Sequence, residues 1–155
     1  MQLGDAAAVF QLIGDVGTLE RNSCYTYLLL CSHFAETCVV AEQSGSLVGV
    51  VLAYRPPTDA ESVFVWQIGV HPKARGQGLA KRLLAAVLAL PSTDDTVYLT
   101  ATVSPDNAAS LALFRGFARD HGVPCRETAF FDASLFVGEH PDENLLRIGP
   151  LKERT

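Results

Sequence analysis

No apolar run in this 155-residue chain approaches the roughly 20 residues that a membrane-spanning helix needs. The longest, RLLAAVLAL and TYLLLC, stop far short. The N-terminal MQLGDAAAVF has neither a basic start nor a long apolar segment, so no secretory signal is read there and the expected compartment is the cytoplasm. Four cysteines, Cys24, Cys31, Cys38 and Cys125, fall in no Cys-x-x-Cys or Cys/His spacing. That excludes a zinc site by pattern and predicts reduced, buried thiols. No lysine/arginine stripe is present, and 12 basic residues stand against 17 acidic ones, for a net charge of −5. The balance argues against a nucleic-acid surface and suits a cationic or zwitterionic small substrate. No repeat, low-complexity tract or linker divides the chain, so residues 1–155 read as one domain.

What is there is a 48% hydrophobic, 19% charged composition that can build a core. DAAAVFQLIG (5–14) reads as a short helix ending at glycine. NSCYTYLLLCSHF (22–34) reads as a second helix, tipped that way by its Asn-Ser start and its length. TCVVAE (37–42), a QSGS turn and LVGVVLAYR (47–55) form a hairpin pattern, followed by the strand VFVWQIGV (63–70). A helix over 79–90, a strand over 96–103, a helix within 105–122, and strands over 125–132 and 145–151 complete the order. Hairpins and crossover helices together predict an α/β layer arrangement with mixed strand pairing.

Between the third strand and its helix lies ARGQGLAKRLL. Helix starts expose unpaired N–H groups at the positive end of the helix dipole, and glycine lets backbone curl around an anion. Arg75 and Lys73 add charge at the same mouth. A Walker loop would need Gly-Lys-Ser/Thr, which is absent, and a dinucleotide fingerprint would need a third glycine in phase.

The stretch VWQIGVHPKARGQGLAKRLL instead resembles the acetyl-CoA site of the GNAT N-acetyltransferases, with Arg75, Gly78 and Ala80 filling the positions of Arg/Gln-x-x-Gly-x-Gly/Ala. SPDNAASLALFRGFAR resembles the family's next element, an asparagine followed by a helix ending in Gly-Phe. The resemblance implies a central, mixed, mostly antiparallel sheet flanked by helices on both faces. It also implies that Arg75, Gly76, Gln77, Gly78, Leu79 and Ala80 grip the pyrophosphate of acetyl-CoA. Ile68, Gly69 and Val70 would pair with the pantetheine arm, and Asn107 and Ser110 would meet it further along. Dimerisation through the C-terminal strands is a common family trait, for which LLRIGPL is the candidate segment.

A narrower resemblance covers nearly the whole chain. NSCYTYLLLCSHFAETCVVAE, FVWQIGVHPKARGQGLAKRLL and DENLLRIGP look like the L-2,4-diaminobutyrate acetyltransferases of ectoine biosynthesis, an osmoprotective pathway. The implied reaction acetylates the γ-amine of diaminobutyrate, with acetyl-CoA as co-substrate and no metal.

That substrate carries two ammonium groups and a carboxylate, so its site needs acceptors, a donor and a way to take a proton. Candidates are Glu20, Tyr25, Trp66, Glu127, His140 and Glu143. Trp66 is read either as a wall of the acceptor pocket or as a core tryptophan. Glu127, in the apolar-rich CRETAFF, is read as functional or as an edge-strand charge. Glu20 is a binding acid or a solvated loop acid, standing where the subfamily resemblance implies aspartate. His140 and Glu143 belong to a polar loop that either covers the acceptor or is simply solvated. His33, His71 and His121 read as surface or helix-end residues, and Arg115, Arg119 and Arg126 as solvated charges. Arg126, beside Glu127, is a candidate for the substrate carboxylate.

For catalysis, burial against Trp66 with a nearby acid, Glu127, acting through water would take the amine's proton, and a backbone N–H at Gly69–Val70 would polarise the thioester carbonyl. Two departures from the family stand out. The family's usual proton-donating tyrosine falls at Phe114, and the chain begins almost inside the first helix, where the family has a strand. Three rival readings stay open: an acetyltransferase for another small amine, a non-catalytic acetyl-CoA sensor, and, more remotely, a nucleotide-binding α/β protein.

Overall fold

The computed structural model describes residues 1–152. Six strands form one sheet in the order β1-β2-β3-β4-β6-β5, with β3 and β4 parallel and β1–β2, β4–β6 and β5–β6 antiparallel. The chain divides into two compact units, Met1–Tyr54 with Trp66–Asp94, and Arg55–Val65 with the chain from Asp95 onward.

The first unit holds α1 (Ala6–Val16), α2 (Cys24–His33), β1 (Val39–Gln43), β2 (Ser46–Tyr54), the end of β3 (Ser62–Val70) and α3 (Leu79–Leu88). Helix α1 runs past Gly14, where the sequence pattern placed its end, and stops at Gly17 with φ 75°. The reason is geometric: a left-handed residue is the usual helix terminator, and Gly14 sits within the turn with Arg21 lying across it. Helix α2 begins at Ser23, whose side chain accepts from the Thr26 N–H. The β1–β2 hairpin closes on Ser44 and Gly45, both at positive φ, the conformation that matches strand twist in a two-residue turn.

Helices cover both faces of β2. Val50 and Leu52 join Val9, Leu12, Ile13, Tyr27 and Leu30 in one core cluster. On the other face a Cβ at Gly49 would lie 2.8 Å from Leu83 Cδ1, so the missing side chain lets α3 approach closely.

The second unit holds the start of β3, β4 (Tyr98–Val103), α4 (Ala108–Asp120), β5 (Cys125–Phe131) and β6 (Glu143–Ile148). Its core includes Val63, Leu99, Phe114, Phe117, Leu146 and Ile148. Strand β6 pairs with β4 on one side and β5 on the other, so it is internal. The edge strands of the sheet are β1 and β5, while β6, which carries most of LLRIGPL, is paired on both sides. Cys31 and Cys38 are buried as expected, but Cys24 is exposed and Cys125 partly so; all four are free. Burial pushes the Cys31 thiol up to about 11.

Candidate active site

In the first unit, β3 ends at Val70, a single 3₁₀ turn spans Pro72–Ala74, and α3 starts after Gly78. Gly76 and Gly78 have φ of 76° and 70°, a region that costs other residues about 1–2 kcal/mol. A Cβ at either would meet nothing within 4 Å, so glycine is required here by conformation and the space above it stays open. No side chain caps the α3 N-terminus, which leaves its first N–H groups to an outside acceptor. Gln77 is exposed, while Leu79 and Ala80 are half-buried at the head of the helix. The turn has the features an anion cradle requires.

Arg75 is anchored rather than loose. Its Nε donates to Val70 O at 3.2 Å and its Nη2 to Val16 O at 2.8 Å, at the carbonyl end of α1 where a cation is favoured. Gly69 serves close approach: a Cβ there would stand 3.0 Å from both Leu19 Cδ1 and Val16 Cγ2. Ile68 and Val70 flank it, half-buried. Trp66 is 38% exposed, which excludes the core-tryptophan reading. Glu20 and Tyr25 are both exposed, one on the α1–α2 loop and one in the first turn of α2. His71 accepts from the Lys73 N–H and caps the 3₁₀ turn.

In the second unit, Asn107 caps α4, its Oδ1 accepting from the Ser110 N–H at 3.1 Å, which leaves the Nδ2 donors outside that bond. Phe114 is buried in the core and offers only hydrocarbon. Glu127 accepts from Arg115 Nη2 at 2.7 Å and from Asn144 Nδ2 at 2.9 Å. These two bonds, with the Asn144 amide first and the Arg115 guanidinium next, hold its carboxyl below the usual glutamate range. Arg115 is therefore not the free solvated charge expected, because helix α4 aims it at β5. Glu127 stays ionised at neutral pH, a source of fixed negative charge and a weak proton acceptor.

Glu143 is the neighbour of Asn144 on β6, so strand alternation sends it to the face opposite Glu127. The two acids do not converge. His140 stacks on Phe136 with ring centroids 3.8 Å apart, and its Nδ1 lies 2.7 Å from Pro141 O. The polar loop is thus organised around an aromatic pair. Among the described residues no group of three or more His, Cys, Asp or Glu is placed to hold a metal.

Residues 7–117 match the model of the acetyltransferase (GNAT) family. The chain belongs to the GNAT family. Within it, the chain is 44% identical over 95% of its length to L-2,4-diaminobutyric acid acetyltransferase of Halalkalibacterium halodurans, covering 78% of that protein. It is 46% identical over 94% of its length to the protein of that name from Bordetella parapertussis, covering 80% of it. The solved structure of diaminobutyrate acetyltransferase EctA from Paenibacillus lautus, in complex with L-2,4-diaminobutyric acid and coenzyme A, superposes with a TM-score of 0.94. Its sequence is 37% identical, and the match covers 99% of this chain and 94% of that one. The fold class is accordingly the GNAT one, a mixed and mostly antiparallel sheet with four helices.

Sequence reasoning missed one residue of this GNAT chain that the structure makes prominent. Gln67 is buried on β3, where its Nε2 donates to Glu20 O at 2.7 Å and its Oε1 accepts from the Tyr27 hydroxyl at 3.4 Å. The available signal was an uncharged polar residue inside VFVWQIGV, which burial would oblige to find partners.

Proposed function

We propose that this protein transfers the acetyl group of acetyl-CoA to the side-chain amine of L-2,4-diaminobutyrate. The product is N4-acetyl-L-2,4-diaminobutyrate, and the step belongs to ectoine biosynthesis, an osmoprotective route of the cytoplasm. The observation that carries the reading is the spread of identity to the diaminobutyrate acetyltransferases over nearly the whole chain, far beyond the glycine turn. The whole chain, 1–155, acts as one N-acetyltransferase domain in this account.

The turn fits acetyl-CoA on its own geometry: open space above Gly76 and Gly78, and an uncapped helix start. Acetyl-CoA supplies a thioester carbonyl open to attack by a neutral amine. The chain's part begins with the N–H groups of Gly78 to Ala80, which face a pyrophosphate with Gln77 beside them. The backbone of Ile68, Gly69 and Val70 lines the pantetheine arm, and a Gly69–Val70 N–H donates to the carbonyl oxygen as negative charge develops there.

An alkylammonium has a pKa of about 10, so the amine must lose a proton before it reacts. The exposed indole of Trp66 supplies an apolar wall that disfavours the charged form. Glu20 and Tyr25 offer acceptors on the first unit. Within the second unit, Glu127 carries a lasting negative charge, the chemistry that a spectator ammonium calls for. The amine proton passes to water, and water also returns one to the departing sulfur, because Phe114 has none to give.

The test is free-thiol release from acetyl-CoA with diaminobutyrate, ornithine, lysine and putrescine in parallel. We expect kcat/KM for diaminobutyrate to exceed the others by at least about tenfold. Equal efficiency across the panel would leave a general small-amine acetyltransferase, and no turnover with any amine would leave a coenzyme-binding sensor.

The working assembly in this proposal is a homodimer. Its support is the exposed edge strand β5 with Phe130 and Phe131, continued by Leu135 and Val137, all solvent-exposed. Sedimentation should give twice the monomer mass for the wild type, and monomer for Phe130→Ser.

A further inference from the structure

The loop between α1 and α2, Gly17–Ser23, is held onto the first unit at four points. Arg75 donates to Val16 O at the foot of the loop. The Leu19 side chain rests where a Gly69 side chain would stand. The Arg21 guanidinium lies 4.5 Å over the Phe10 ring. The fourth point is polar and buried. Gln67 grips the backbone carbonyl of Glu20, Tyr27 grips Gln67, and the Asn22 N–H donates to the Tyr27 hydroxyl at 3.1 Å.

A strand that reads VFVWQIGV has no packing need for an amide at its centre, and a buried amide is costly unless its groups are bonded. Tyr27 is fully buried, yet its hydroxyl bonds only within this network. The network terminates on the main chain of two loop residues, the Glu20 carbonyl and the Asn22 N–H. It fixes where Glu20 sits while leaving the Glu20 side chain in solvent.

We propose that Gln67 and Tyr27 are positioning residues for the amine substrate: through the Glu20 carbonyl and the Asn22 N–H they set the Gly17–Ser23 loop over the end of β3. The assignment rests on the acetyltransferase reading above. Neither residue touches the anion cradle, so the clamp acts on the amine and leaves the coenzyme alone. Gln67 supplies the decisive bond, because Nε2–H to Glu20 O is the short one at 2.7 Å. Tyr27 orients the amide so that its NH₂ faces the loop.

The test is steady-state kinetics with diaminobutyrate and acetyl-CoA each varied, on wild type, Gln67→Met and Tyr27→Phe, with hydrogen exchange followed across residues 17–23. Gln67→Met should raise KM for diaminobutyrate about tenfold or more and keep KM for acetyl-CoA within about twofold. Tyr27→Phe keeps the ring and should show the same split at about two- to fivefold. Exchange at residues 18–23 should quicken in both variants while α3 is unchanged. If Gln67→Met proves too unstable to assay, Tyr27→Phe decides alone. Both KM values rising together, or neither moving, overturns the proposal. A wild type that does not acetylate diaminobutyrate overturns the function reading instead. The clamp is then decided by exchange, and unchanged rates at 18–23 in Gln67→Met overturn it.

Discussion

Gln67 and Glu127 each hold two hydrogen bonds to residues distant in sequence, but they sit in opposite surroundings. Gln67 is 7% exposed, at the centre of a packed unit, and its partners are a main-chain carbonyl and a buried tyrosine. Glu127 lies on the edge strand β5 with its side chain 29% exposed, and its partners are the side chains of Arg115 and Asn144. Leaving a buried polar group unpaired costs about 1–3 kcal/mol, whereas an exposed ion pair contributes about 0–1 kcal/mol. The first unit thus sets geometry with neutral groups out of water. The second displays charge at the surface and spends little stability on it.

The sharpest way to break this contrast is to remove the buried partner outright. Tyr27→Ala should destabilise the protein by about 3–5 kcal/mol, read by urea denaturation, because a fully buried ring is lost along with its hydroxyl. A loss below about 1 kcal/mol would place Tyr27 outside the core account.

A smaller effect is expected at the glycine turn. Gly78→Val forces a branched side chain into φ 70° and should cost about 1–2 kcal/mol. Its mark in kinetics should be a raised KM for acetyl-CoA with KM for the amine unchanged, the mirror image of the Gln67 variant.

The smallest effect belongs to the exposed pair. Arg115→Ala should lower stability by less than about 1 kcal/mol at pH 7. The Glu127 carboxyl is lowered in the folded state, so its contribution is present above the unfolded glutamate value of about 4.3 and is lost as pH falls through the folded value. Melting curves of wild type and Arg115→Ala should therefore converge in acid. A gap that widens in acid would reverse the assigned sign.

The elements read well from sequence because their signals are local. The glycine turn, the Ser23 cap and the hairpin at Ser44–Gly45 each depend on one or two residues with special backbone preferences. The sequence pattern ends the helix at Gly14, but glycine there makes room for Arg21, a contact from seven residues further on. The site side chains were legible as types but not as partners. Arg126, next to Glu127, reads as a candidate for the substrate carboxylate; strand alternation turns it away from Glu127, whose charge partner is Arg115 from α4. The role of Gln67 is not local, because it lies in a bond to a carbonyl 47 residues earlier. Likewise Glu127 and Glu143 carry the right chemistry, and only the β5–β6 register separates them onto opposite faces.

The account's central claim is acetyl transfer to one nitrogen of one diamino acid. The most direct measurement incubates the protein with carbonyl-labelled [13C]acetyl-CoA and L-2,4-diaminobutyrate and locates the label by NMR. The account predicts that the label appears on the γ-nitrogen alone. Label on the α-nitrogen, or label that remains on the thioester while coenzyme binding is intact, would contradict it.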